Sequence, residues 1–162
     1  MTTMSMLTTL SPTDVSDAIK AAGGAVTAIE QGGITYLTSA SHGISFQILW
    51  GNALEPGRYA DLTLSCPLRV QGGTLPEGLI ADWHRSRRFA RLAQHGDFVV
   101  LEMDVIAAGG ISVEHLVTQI RLWMQMMGEF FVYLRNYRNE ADALAELASG
   151  TGAAQPVEAV TQ

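Results

Sequence analysis

FVVLEMDVIAAGGISVEHLVTQIRLW, residues 98–123, decides the fold. Its opening alternates: Val99, Leu101, Met103 and Val105 on one face, Phe98, Val100, Glu102 and Asp104 on the other. A period of two is that of a half-buried strand. Gly109-Gly110 breaks the strand, and Ser112 is placed to cap a helix. From there Val113, Leu116, Val117, Ile120, Met124, Met127, Phe131 and Leu134 recur three or four apart. That spacing predicts a long helix over 112–138. One strand therefore feeds one long closing helix, and both need an apolar layer to pack on.

Upstream of this stretch, RFARLA reads as a second strand, joined to the first by a turn at Gln94-His95-Gly96-Asp97. A two-residue His95-Gly96 loop would set Arg91 opposite Val100, Phe89 opposite Glu102 and Arg87 opposite Asp104. Thr74-Leu75-Pro76-Glu77 reads as the start of a helix carrying Leu79, Ile80 and Trp83 on its apolar side. AVTAIE, ITYLT and GISFQILW are short strands divided by QGG and SHG turns, and YADLTLS is another. GNALEPGR reads as a loop, and Pro67 either ends its strand or marks a sheet edge. Ser11-Pro12-Thr13-Asp14 opens a first helix over 12–22. The order is helix, strands, helix, strand hairpin, long C-terminal helix: an α+β class with an antiparallel sheet packed against helices. Residues 1–10 are expected to be a flexible N-terminus, 11–148 a single domain, with EADALAELA adding a final turn of helix, and 149–162 a disordered tail.

Of 162 residues, 48% are hydrophobic and 16% charged, so the chain can bury one core. Its net charge of −6 speaks against a dedicated nucleic-acid binder. No apolar run approaches a membrane span, and the start lacks the basic and apolar pattern of a signal peptide. Cys66 is the single cysteine, so no internal disulfide can form and a cytoplasmic location is expected. Neither nucleic acid nor membrane is expected as a partner, and no cofactor motif is present.

Glu102, Asp104 and His115 are the obvious candidates for chemistry. The expected register gives Arg87 and Arg91 a share of the carboxylates' face, so cross-strand ion pairing accounts for the residue types without catalysis. Catalysis would need a cleft and divergent protonation of the two acids. His42, His84, His95 and His115 have no helical metal spacing, so no catalytic, metal or cofactor site is assigned. The densest charge run is His84-Arg85-Ser86-Arg87-Arg88 with Arg91, four of nine arginines within seven residues. It reads either as an anionic docking spot or as a solvated helix end with paired arginines. Trp123, Met126 and Phe130 widen the long helix's stripe, either into the domain's own core or onto a dimer or client surface.

The stretch ADWHRSRRFARLAQHGDFVVLEMDVIAAGGISVEHLVTQIRLWMQMMGEFFVYL, residues 81–134, resembles the second half of the YbjN-domain proteins, bacterial proteins described as sensory transduction regulators. The resemblance lies in Trp83-His84, Arg88-Phe89-Ala90, Leu101-Glu102-Met103-Asp104 and Gly109-Gly110-Ile111-Ser112. His84 stands where the family usually has Asn. The family is similar in fold to the type III secretion chaperones, compact homodimers that hold an unfolded stretch of a client. The resemblance implies that fold, no cofactor and no catalytic residue. The expectation is a non-enzymatic, chaperone- or adaptor-like regulatory homodimer that binds a protein partner. Trp83, Arg85, Arg87, Arg88 and Arg91 are its candidate contacts. The alternatives are an enzyme or small-ligand binder using Glu102 and Asp104, and a purely structural dimeric component of an assembly.

Overall fold

The computed structural model describes residues 5–137, apart from 71 and 73. The elements run β1 (Met6–Leu7), α1 (Pro12–Ala21), β2 (Thr27–Gln31), β3 (Ile34–Ser41), β4 (Ile44–Trp50), β5 (Ala53–Glu55), β6 (Arg58–Tyr59) and β7 (Asp61–Arg69). Then come α2 (Leu79–Ser86), β8 (Arg91–His95), β9 (Phe98–Ile106), β10 (Ile111–Ser112) and α3 (Val113–Asn136). Six strands form one antiparallel sheet in the order β2-β3-β4-β7-β9-β8. The architecture is α+β, closed by the long helix the sequence predicts. The expected extra helix over 140–148 and the tail over 149–162 lie outside the described residues.

One sheet face carries the core. Leu37, Phe46, Ile48, Leu64, Leu101, Met103 and Leu92 are buried there against Val15, Ile19, Trp83, Ile120, Trp123 and Phe130 of the three helices. The register keeps them together: Ile48 pairs with Leu64, Leu64 with Met103, and Leu101 with Leu92. A one-residue slip would turn every one of these side chains to water, so burial fixes the pairing.

The helix ends follow their capping chemistry. Ser11 and Asp14 make a reciprocal capping box at α1, with Pro12 in the first turn. Ser112 Oγ accepts the His115 backbone N–H, 2.9 Å away, at the start of α3. Such a cap contributes about 1 kcal/mol. α2 departs from expectation. Thr74 does not cap it; the helix begins at Leu79, after Gly78, which has the positive φ of 83° that glycine adopts without strain.

Other expectations need correction. GNALEPGR is not a plain loop but the β5–β6 hairpin. Pro67 does not end its strand; it sits inside β7 opposite Val100 of β9. It is tolerated because the ladder to β4 stops at Gln47–Ser65, so no partner on that side calls for the missing N–H. Within the stretch expected to be flexible, Met6 and Leu7 pair with Ser112 and Ile111, and Leu10 is fully buried and bridged to Tyr59. The core stripe of α3 is rotated from the expected one. Trp123, Met126 and Phe130 are buried, while Val113 is exposed and Val117, Met124 and Phe131 are half-buried. Trp123, Met126 and Phe130 therefore serve the domain's own core.

Candidate functional site

Two arginine neighbourhoods lie on either side of one turn. The first surrounds the carboxylates. The β8–β9 turn is Gly96-Asp97, because His95 pairs with Phe98; the expected His95-Gly96 loop is displaced, and the register moves by two residues. Arg91 thus faces Glu102, not Val100. A shift of two leaves each side chain on its original face, so the predicted association of Arg91 with both acids is found with altered partners. Arg91 donates two hydrogen bonds to Asp104, at 2.7 and 3.1 Å, and lies 3.6 Å from Glu102. Thr63 Oγ1 donates to Asp104 Oδ1 at 2.7 Å, and His95 approaches Glu102 at 3.9 Å.

The Arg91 hydrogen bonds hold the Asp104 carboxyl below its usual range, against a smaller opposing effect of burial, and the same bonds raise the Arg91 guanidinium. A carboxylate already saturated with donors is a poor proton acceptor. His115 does not join the pair: it lies in the first turn of α3, which packs on the opposite face of the sheet from Glu102 and Asp104. His84 and His42 bond backbone. His84 Nε2 accepts the Leu92 N–H at 2.9 Å, tying α2 to β8. His42 Nε2 donates to the Met124 carbonyl at 3.1 Å, over Gly128, where a Cβ would come within 2.9 Å of the ring. Among the described residues no three His, Cys, Asp or Glu side chains gather as metal ligands do. Cys66 is buried, which pushes its thiol up to about 12 and keeps it protonated.

The second neighbourhood follows α2. Trp83 is fully buried, so the expectation that it contacts a partner is corrected. Its indole N–H donates to the Ala90 carbonyl at 2.9 Å, and its ring packs edge-on against Phe130 and Tyr133. Trp83 thereby anchors the segment that carries the arginines. Between helix and strand, the Ala90 N–H donates to the Arg88 carbonyl at 3.0 Å, and Phe89 has φ 79°. This is a γ-turn of the strained, positive-φ kind, rare for an aromatic residue. It holds the Phe89 ring out in solvent, 59% exposed.

The arginines here keep different company. Arg85 is ion-paired with Asp82 one turn back. Arg87 does not reach Asp104 as expected. It leaves the sheet, lies over the Trp83 and Tyr133 rings at 5.2 and 5.4 Å, and sits 3.7 Å from Glu129 of α3. At that distance Glu129 makes no hydrogen bond, and the buried Arg87 Nε has no acceptor among the described residues. Arg88 stacks over Phe89 at 4.8 Å and has no carboxylate partner among the described residues. Together with Ser86 these residues form one wall of an open groove of ≈ 280 Å³, and Gln125, Met126 and Glu129 form the other. Sequence reading picked out the arginines. It could not pair them with 125–129, which tertiary packing alone brings across.

No helix among the described residues is long and apolar enough to cross a membrane. A family model, YbjN, described as "Putative bacterial sensory transduction regulator", matches residues 11–136, more than half of the chain. No curated protein and no solved structure matches it.

Proposed function

The chain belongs to the YbjN family, and on that premise we propose that it is a non-enzymatic, cytoplasmic regulatory protein, chaperone- or adaptor-like, which binds an acidic segment of a partner protein in the groove between Ser86–Phe89 and α3. The observation that carries this reading is the Phe89 turn. A strained backbone costs about 1–3 kcal/mol and persists where the surrounding structure enforces it, which is common at binding sites. Here the strain presents an aromatic ring beside an unneutralised guanidinium, on a chain whose net charge is −6. An acidic residue of the partner would meet Arg88, and a neighbouring apolar residue would cover Phe89.

The test uses a short fluorescent peptide of alternating Glu and Leu, titrated with the full chain and followed by anisotropy. Saturable binding that weakens with salt and falls at least tenfold in Arg88→Glu is expected. No binding, or equal binding by Arg88→Glu, contradicts the proposal. The enzymatic alternative gains nothing from Asp104, which is half-exposed and saturated by Arg91 and Thr63.

A further inference from the structure

The two edges of the sheet are finished differently. At the β8 edge the Leu92 N–H is taken by His84, α2 packs alongside, and Arg91 and His95 add charge. These are the devices by which edge strands refuse further pairing. The β2 edge has no such cation and, among the described residues, no side chain capping its backbone; its one charge is Glu30. Thr27-Ala28-Ile29-Glu30-Gln31 contains no Pro, Lys or Arg, runs in unbroken register along β3, and is exposed at all five positions.

The β2 sequence also suits itself. In an antiparallel pairing of two copies about a two-fold axis through Ile29, Ile29 meets its own counterpart. Thr27 then faces Gln31, and Glu30 faces Ala28, so no like charges oppose. The face behind this edge continues the fit. Ile29 lies beside Tyr36, and Leu49 follows on β4, all three large, exposed and apolar on the face that carries no helix. The two-fold would join the two rows into a single apolar band running through both sheets.

We propose that two copies of this chain associate edge to edge through β2, extending each six-stranded sheet into one of twelve strands. The contact is short, so the dimer is weak and depends on concentration. The surface is independent of the groove: β2 is at the opposite edge of the sheet from β8, the strand that leaves the Phe89 turn.

Sedimentation equilibrium on the full chain over a range of concentrations tests this. The wild-type mass is expected to climb from one chain toward two. Ile29→Lys and Ile29→Glu, each placing like charges across the axis, are expected to stay monomeric while keeping the wild-type circular dichroism. An equimolar mixture of the two variants is expected to dimerise again, since Lys then faces Glu. A wild-type chain that stays monomeric throughout overturns the proposal, even one whose β2 edge takes up an added peptide strand instead. So does an Ile29→Lys variant that dimerises like wild type, or a mixture in which folded monomers fail to pair.

Discussion

Arg88 and Arg91 are three residues apart, and their guanidinium groups meet different surroundings. Arg91 lies on a regular strand, and the pleat delivers it to Glu102 opposite and Asp104 diagonally. Its charge is met within the sheet. Arg88 precedes that strand, in a turn whose backbone is bent the wrong way for an aromatic residue, and it rests on the ring of Phe89 with no carboxylate at hand. Charge density along a chain therefore says little about charge available to a partner. Regular structure supplies cross-strand neighbours by geometry, whereas an irregular turn supplies none.

The largest effect on this contrast is expected from Trp83, which anchors the turn through Ala90 and fills the core beneath Arg87. Trp83→Ala should destabilise the chain by about 3–5 kcal/mol in urea unfolding and abolish peptide binding. Trp83→Phe, which keeps a ring but loses the hydrogen bond, should cost about 1 kcal/mol. An equal cost for both variants would show that the bond to Ala90 matters more than the packing.

His84 comes next. Its ring accepts the Leu92 N–H, and His84→Ala should cost about 1–2 kcal/mol by leaving that donor without its partner. Asn also carries a side-chain acceptor, so His84→Asn should recover much of the loss. If Asn destabilises as much as Ala, the hydrogen bond is not what the position contributes.

Phe89→Gly should move stability and binding in opposite directions. Relief of the positive φ is worth about 1–3 kcal/mol, and glycine's added chain entropy returns about 0.5–1 kcal/mol of it. A gain of about 1 kcal/mol in thermal unfolding should accompany weaker anisotropy in the peptide titration. Loss of both would mean that the ring holds the fold and does not serve a partner.

The smallest effect belongs to the other side of the contrast. Asp104→Asn should cost about 0.2–1 kcal/mol, as half-exposed ion pairs do, and leave peptide binding unchanged. Because Arg91 lowers the Asp104 pKa in the folded chain, the stabilisation is full above the carboxyl's ordinary value of 3.8. It is lost as pH falls through the lower folded value. The Asn variant should therefore show a shallower acid limb in its stability profile; an unchanged limb would show that the pairing is not formed.

Much of the fold is legible because local chemistry and burial agree. Ser11 with Asp14, and Ser112 before α3, are capping signals that act within one turn. Ile44, Phe46 and Ile48 alternate because one sheet face is covered and the other is not. The failures arise where a distant partner decides. Pro67 is accepted inside a strand because β4 stops pairing before it, which β7 alone cannot reveal. The hairpin register turned on whether His95 or Asp97 joins the glycine, a choice that keeps every side chain on its face and so leaves the alternation unchanged. On α3, Trp123, Met126 and Phe130 could equally have been core or surface from spacing; the position of the sheet makes them core. In the groove, the arginines were visible, but the turn at Phe89 and the wall from Gln125 to Glu129 were not. The turn has no glycine or asparagine to announce a positive φ, and the wall lies far along the chain.

The most direct test of the two-arginine account is residue-resolved chemical-shift mapping of the Glu-Leu peptide on the isotopically labelled chain. Progressive shifts are expected at Ser86–Phe89 and at Gln125, Met126 and Glu129, with the Arg91, Glu102 and Asp104 signals unmoved. Shifts centred on Arg91 and Asp104, with the Phe89 turn silent, would contradict it.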